Sequence, residues 1–415
     1  MLIYSPKISP RFLYTMEVLF QRLLRVEYRI TDDITEFLEY HGAKFSYGDE
    51  SIGKIHFFAH TLLFEKDVHE QKIEAVVWKD YTLFFPTADS LLPFDPFAVA
   101  FYLVSRYEEY LPCKHLDEHG RFCITSSVAY QHGFYRKPML HIIAKEIGDI
   151  IQTKYPEFTY RLPEFSMLHT YDIDIAYQYK GKGFFRLIAS FIRAVLNCNN
   201  HKTKQLCNLF LQKDVTDEFD TFAQYQKEAE KNCYRPVHFI LTAPFGKYDR
   251  NIDYRSPAFR SLLEQLKKFS DIGIHPSYYS SEKNGLIKQE ISQLENISGL
   301  KINKSRQHFL RFFFPYTFEE LLHNGITDDY SLGWPDEVGF RASIAIPFPF
   351  YNLLQEKKEQ LMMHPLIMMD RALTKIAKSK EAQEQIVHKI TEELKIHGGN
   401  LILLTHNSFK ESILN

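Results

Sequence analysis

The spacing of apolar and polar residues changes character along the chain. From residue 1 to about 155, short strand-like runs mix with helical stretches. Leu2-Ile3-Tyr4 predicts a strand and residues 11–24 a helix, with further strands at 55–59, 75–78 and 81–85. Residues 93–110 carry Phe97, Ala100, Phe101, Val104 and Tyr107 at helical spacing, and 137–155 holds another helix. Residues 105–110 are charged and aromatic, and a solvated helix end explains them equally well. Periodicity lapses at 154–163, around Pro156 and Pro163. Beyond it, strands are expected at 165–174, 237–243, 271–278, 302–308, around 328–345, 366–370 and 400–406. Helices are expected between them at 184–196, 218–231, 257–269, 282–296, 318–324 and 381–397. Alternating strands and helices imply a parallel sheet with helices outside, and seven or eight such units favour a closed or nearly closed barrel. The expectation is an α+β domain at 1–160 followed by an α/β barrel domain at 161–415.

In such barrels the working residues sit at the C-terminal ends of strands. The polar residues at the expected ends form a chemical set. The strand 165–174 runs out in Asp172 and Asp174, which share a face because strand side chains alternate. Two carboxylates so close repel, and a divalent metal or a cationic partner removes that cost. The next ends carry His275, then Arg306 and His308, and the last carries His406; His364 and Asp370 flank the strand at 366–370. One Asp with two His suits Zn²⁺ or another first-row metal with a position left for water. His169 and His238 lie beside a carboxylate or within a strand and read as structural.

Composition narrows the field. A net charge of −2, with no basic run interleaved with aromatics, gives no reason to expect nucleic acid. The 35 Phe and 25 Tyr suit sugar rings, though large cores explain them more simply. Five cysteines (Cys113, Cys123, Cys198, Cys207 and Cys233) form no CxxC pair, which argues for reduced thiols rather than a disulfide framework. Charged residues interrupt the first 25 positions, and no apolar run approaches membrane-spanning length, so a soluble cytoplasmic protein is expected.

At these residues the chain resembles the NodB-type polysaccharide deacetylases, carbohydrate esterase family 4, and most of all its bacterial branch with an extra N-terminal domain of unknown role. The resemblance covers about 160–415. It implies a distorted (β/α) barrel of about seven strands and metal-dependent removal of N- or O-acetyl groups from sugars, the former by cleavage of a carbon–nitrogen amide bond. Thr170-Tyr171-Asp172-Ile173-Asp174 is similar to the first motif, with one residue inserted between the carboxylates; it implies Asp172 as base and Asp174 as metal ligand. The second motif has two His four residues apart. Here His275 is present but position 279 is Tyr, and His308, two residues beyond Arg306, is the expected replacement ligand. Arg306 matches the arginine that orients the base. Leu404-Thr405-His406 matches the motif whose His is the acid. Trp334-Pro335-Asp336 loosely echoes the fourth motif, and Trp334, Arg341 and Tyr278 are the expected substrate contacts. The implied cofactor is a divalent metal, Zn²⁺ foremost, with Ni, Co, Fe or Mn as alternatives. The implied partner is an acetylated sugar or glycan intermediate, nucleotide- or lipid-linked, in surface-polysaccharide metabolism.

Two other readings compete. A glycosyltransferase uses Asp-x-Asp to hold a metal and a nucleotide sugar, but no phosphate-cradling glycine pattern precedes Asp172. A degenerate barrel that only binds glycan is suggested by the missing second-motif His, whereas Asp172 and His406 argue against it.

Overall fold

The computed structural model describes residues 1–88, 90–112, 114–211 and 215–408; Cys113 lies outside them. The four described cysteines are free thiols. Among the described residues no helix is long and apolar enough to cross a membrane.

The chain forms two compact units, and they do not follow the linear division expected at 160. The first comprises Met1–Met167, Leu310–His323 and Thr327–Leu403; the second comprises Leu168–Phe309, Asn324–Ile326 and the C-terminal residues from Leu404. The first unit opens with β1 (Leu2–Tyr4), β2 (Arg29–Thr31), β3 (Lys44–Gly48) and β4 (His56–Phe58), a parallel sheet in the order β2-β1-β3-β4. A hairpin of β5 (Ala75–Trp78) and β6 (Tyr81–Phe84) follows. The helix Pro96–Val104 is capped by Asp95, which accepts from the amides of Phe97 and Ala98, and every residue in it is buried. The helix expected at 11–24 starts at Pro10 but continues as a π-helical turn over Glu17–Leu23.

The second unit carries β7 (Phe165–Ile173, from Leu168 onward), β8 (Val237–Ile240), β9 (Asp271–Ile274) and β10 (Lys304–Ser305). They pair in parallel in the order β10-β9-β8-β7. The expected α/β character and parallel pairing are present. Register puts Asp172, Phe239 and Gly273 abreast on one face, and Ile173, Ile240, Ile274 and Ser305 abreast on the other. A Cβ at Gly273 would come within 2.6 Å of the Phe239 ring and 3.0 Å of the Lys304 carbonyl, so glycine lets three strands close up where the polar residues begin. The helix Asn200–Phe210 has no counterpart among the expected elements.

The chain then returns to the first unit with β11 (Asp328–Asp329), β12 (Phe348–Asn352) and β13 (Lys357–Met363), in the order β12-β13-β11. After β14 (Met368–Met369), β15 (Gly399–His406) ends inside the second unit, which takes Leu404 to His406.

Within the first unit, buried charge links residues 105–110 to the segment 327–403. Residues 105–110 are not a solvated helix end: Arg106, Glu108 and Glu109 are all buried. Arg106 donates to Glu108 and Glu109 at 2.8 Å each, and Arg341 makes two bonds to Glu109 at 2.9 and 2.7 Å. Burial would raise the Glu109 carboxyl, but the guanidinium groups of Arg341 and Arg106 outweigh it and hold the group below its ordinary range. Removing one partner from a buried ion pair costs roughly 3–5 kcal/mol because the other charge stays buried. Glu109→Ala, which leaves Arg341 without its carboxylate and Arg106 with Glu108 alone, should therefore lower the urea-unfolding midpoint of this unit markedly. An unchanged midpoint would show the network to be energetically idle.

Candidate metal centre

The residues that meet at one place all belong to the second unit. Asp172 lies near the end of β7 and Asp174 just beyond it, and His275 follows β9 directly. The main-chain ladder continues past the formal strand ends. The His275 amide donates to the Ile240 carbonyl at 3.0 Å, Arg306 N–H to Ile274 at 3.1 Å and His308 N–H to Pro276 at 3.1 Å. This places His275, Arg306 and His308 although β10 itself is two residues long. His308 was expected on a strand; it opens a 3₁₀ turn, His308–Leu310, in which Phe309 has φ 63° and Leu310 φ 51°. Two bulky residues in left-handed conformation reverse the chain immediately after the imidazole, at a local cost that packing must offset.

Three buried side chains, Asp174, His275 and His308, each present a ligand atom within 4.8 Å of the others'. His275 Nε2 lies 3.2 Å from Asp174 Oδ1 and 3.6 Å from Asp172 Oδ2. His308 Nε2 lies 3.6 Å from Asp174 Oδ2, and His406 Nε2 3.8 Å from the same oxygen. Both ligand-type imidazoles are oriented from behind. His275 Nδ1 contacts the Arg306 carbonyl at 2.5 Å, and His308 Nδ1 contacts Asp249 Oδ1 at 2.8 Å. An N–H donated through Nδ1 leaves the Nε2 lone pair facing the cluster, the arrangement found behind metal-bound histidines. Asp249 is itself fixed by the Tyr278 amide at 3.0 Å.

The cluster fits a cation on its own terms. The buried Nε2 of His275 has no hydrogen-bond partner, although it faces a carboxylate. Burial would push the Asp174 carboxyl up, yet His308 and His275 together hold it well below the ordinary range. Burial would push His308 down, yet Asp174 and Asp249 raise it to about 9. Without a metal, the pocket thus holds its negative charge against a proton on His308, the place a divalent cation could take.

Beside this group sits a second pair. Arg306, fully buried, donates through Nη1 to Asp172 Oδ1 at 3.0 Å and to Thr170 Oγ1 at 2.7 Å, with its guanidinium carbon 4.5 Å from the centre of the Phe239 ring. The row Asp172–Phe239–Gly273 therefore sets the height of the arginine that orients Asp172.

The other expected site residues have partners of their own. Arg341 and Trp334 belong to the first unit and are buried at 1% and 2% exposure. Arg341 is committed to Glu109 and the Gly333 carbonyl, and stacks 4.9 Å from Trp334. That environment places both of them in the core of the first unit, where the expected substrate contacts are engaged with protein groups. Tyr278 is in the second unit but buried, stacked on Tyr248 with centroids 3.8 Å apart, and its amide serves Asp249. His364 pairs with Asp328 at 2.7 Å in the first unit, where Asp370 also lies. His169 stacks on Tyr234 and His238 on Tyr171. Asp249 was missed. It lies in the loop after β8, well past the strand end at Ile240.

Comparison with known proteins adds limited context. Residues 1–156 match the model of a family described as of unknown function, DUF7033. No protein of curated function matches the sequence. Among solved structures, the chain is similar to a protein from Mycobacterium smegmatis described as a polysaccharide deacetylase, at 11% identity and TM-score 0.37, over 59% of this chain and 78% of that one. A Pseudomonas aeruginosa protein described in the same way gives 10% identity and TM-score 0.37, over 59% and 79%. IcaB from Ammonifex degensii gives 10% and 0.23, over 40% and 85%. At these scores the likeness is partial, and the site's own geometry carries the functional reading.

Loss of a carboxylate behind a metal-bound histidine typically lowers metal affinity by about 10–100-fold. Asp249→Ala should show a loss of that size in a competitive zinc titration against a chromophoric chelator. Affinity equal to the parent's would remove His308 from the ligand set.

Proposed function

We propose that the cluster is the active centre of a metal-dependent hydrolase that removes an acetyl group from an N- or O-acetylated sugar. The observation that supports this reading most directly is the adjacency of two differently equipped carboxylates. Asp174 faces three imidazoles, whereas Asp172 is bound to a guanidinium. One suits a cation and the other suits proton transfer.

Asp174, His275 and His308 would hold the cation, Zn²⁺ foremost. When bound it supplies Lewis-acid polarisation of the acetyl carbonyl and a water of lowered pKa. Asp172, oriented by Arg306 and Thr170, takes the proton of the water whose oxygen adds to the acetyl carbon. His406, with Nε2 directed at the same cluster, gives a proton to the departing nitrogen or oxygen as its bond to the acetyl carbon breaks. Acetate and the free amine or hydroxyl are the products. The (β/α)-barrel architecture, a cytoplasmic site of action and a nucleotide- or lipid-linked sugar belong to the same proposal.

The test couples metal analysis of the purified protein with acetate release from N- and O-acetylated hexosamines. General acid–base groups contribute about 10²–10⁴-fold. His406→Ala should lose turnover on that scale with its metal content intact, whereas Asp174→Ala should lose both metal and turnover. Full turnover in His406→Ala would contradict the assignment. Release of a nucleoside diphosphate from a nucleotide sugar, without acetate, would make the protein a glycosyltransferase instead.

A further inference from the structure

A cavity of about 480 Å³ in the second unit is lined by six basic residues, Lys182, Arg186, Arg193, Lys202, Lys247 and Arg250, with no acidic residue in its wall. That volume falls within the roughly 300–1,000 Å³ of small-ligand sites. Among the described residues none of the six forms an ion pair, whereas in the same unit Arg235 pairs with Asp271 and Arg255 with Asp253. Asp217 is the acid that acts on Lys182. Its oxygens are already occupied by the amides of Gln178, Tyr179, Lys180 and Phe219. Among the described residues, then, Asp217 acts on Lys182 only at long range, and no carboxylate pairs directly with any of the six.

The cavity is built rather than incidental. Arg186 donates to the carbonyls of Asn251 and Arg250 at 3.2 and 3.3 Å, and its guanidinium carbon sits 4.1 Å from the centre of the Phe245 ring. Arg250 Nε is tied back to the Lys247 carbonyl at 3.2 Å. Lys182 is pushed down to about 8, first by burial and then by repulsion from Arg186 and Lys202. An anion in the cavity would counter both by attraction, favouring the charged amine.

Its position connects it to the candidate centre. Ile175, in the cavity wall, directly follows Asp174. Lys247 and Arg250 flank Asp249, the carboxylate behind His308. Asn407, next to His406, donates to the Ile175 carbonyl at 2.9 Å and to that of Phe219, another wall residue, at 3.1 Å.

We propose that this cavity binds the phosphate or diphosphate of a phosphate-linked sugar and so presents its acetyl group to the neighbouring cluster. The substrate is then a glycosyl phosphate ester rather than a neutral polysaccharide, a refinement that rests on the deacetylase reading. The shared chemistry is the phosphate, whether its other substituent is a nucleoside or a prenyl chain. Exposed Phe184, Phe185 and Leu196 on the helix that carries Arg186 and Arg193 give the prenyl arm a physical basis.

The first measurement is calorimetric titration of the full chain, stripped of metal by chelation, with inorganic pyrophosphate. Binding is expected, weaker at higher salt, and reduced at least about tenfold in Lys182→Gln/Arg193→Gln. Arg193→Lys should retain most of it, and circular dichroism of each variant separates lost charge from lost fold; if the double variant unfolds, Lys202→Gln alone should still weaken binding severalfold. No binding, or equal binding in parent and variants, overturns the proposal. The second measurement compares KM for acetate release from a nucleotide-diphosphate N-acetylhexosamine, a prenyl-diphosphate N-acetylhexosamine and free N-acetylhexosamine. The double variant should raise KM for at least one phosphate-linked substrate far more than for the free sugar, and the substrate so affected identifies the source of the phosphate. Pyrophosphate binding that the variants abolish, with no acetate from any sugar, would uphold the anion site and reject the deacetylase. Acetate release without pyrophosphate binding would do the reverse.

Discussion

Asp174 is the group on which the second unit's chemistry depends. A carboxylate buried at the end of a strand is expensive unless positive charge or hydrogen bonds compensate it. Here the imidazoles of His275, His308 and His406 stand within 3.2–3.8 Å of its oxygens. They reach it from separate strand ends, so the compensation exists only when β7, β9, β10 and β15 are in register. The carbonyl behind His275 and the carboxylate behind His308 prevent either ring from turning away.

Much of this was legible because the strand-end rule needs only hydrophobic periodicity and the identity of the residue where it stops. Asp172 and Asp174 close nine residues of strand, and His406 closes eight. Such runs are long enough for the alternation to fix which side chains share a face. The expected strand at 302–308 shows the limit. Only Lys304–Ser305 are strand, yet the ladder bonds from Arg306 and His308 keep the imidazole where a strand would have placed it. Residue spacing conveyed the proximity and not the backbone, because the left-handed turn at Phe309 has no glycine to announce it.

What stayed hidden depends on partners remote in the chain. Asp249 orients His308 from 59 residues away, and nothing local distinguishes it from other loop acids. Arg341 looked like a substrate contact because it follows a motif-like Trp-Pro-Asp. Its actual partner, Glu109, lies 232 residues earlier. That same pairing ties the segment 327–403 to the N-terminal residues within the first unit. Local pattern can suggest a buried charge, but only tertiary structure shows which opposite charge meets it.

The most direct test of the central claim is X-ray absorption at the metal edge of the purified protein, loaded with one equivalent of Zn²⁺. Two imidazole nitrogens from His275 and His308 together with oxygen donors are predicted, and His308→Ala should reduce the imidazole count to one. A spectrum without imidazole scattering, or one unchanged in His308→Ala, would contradict the assignment of this cluster as the metal site.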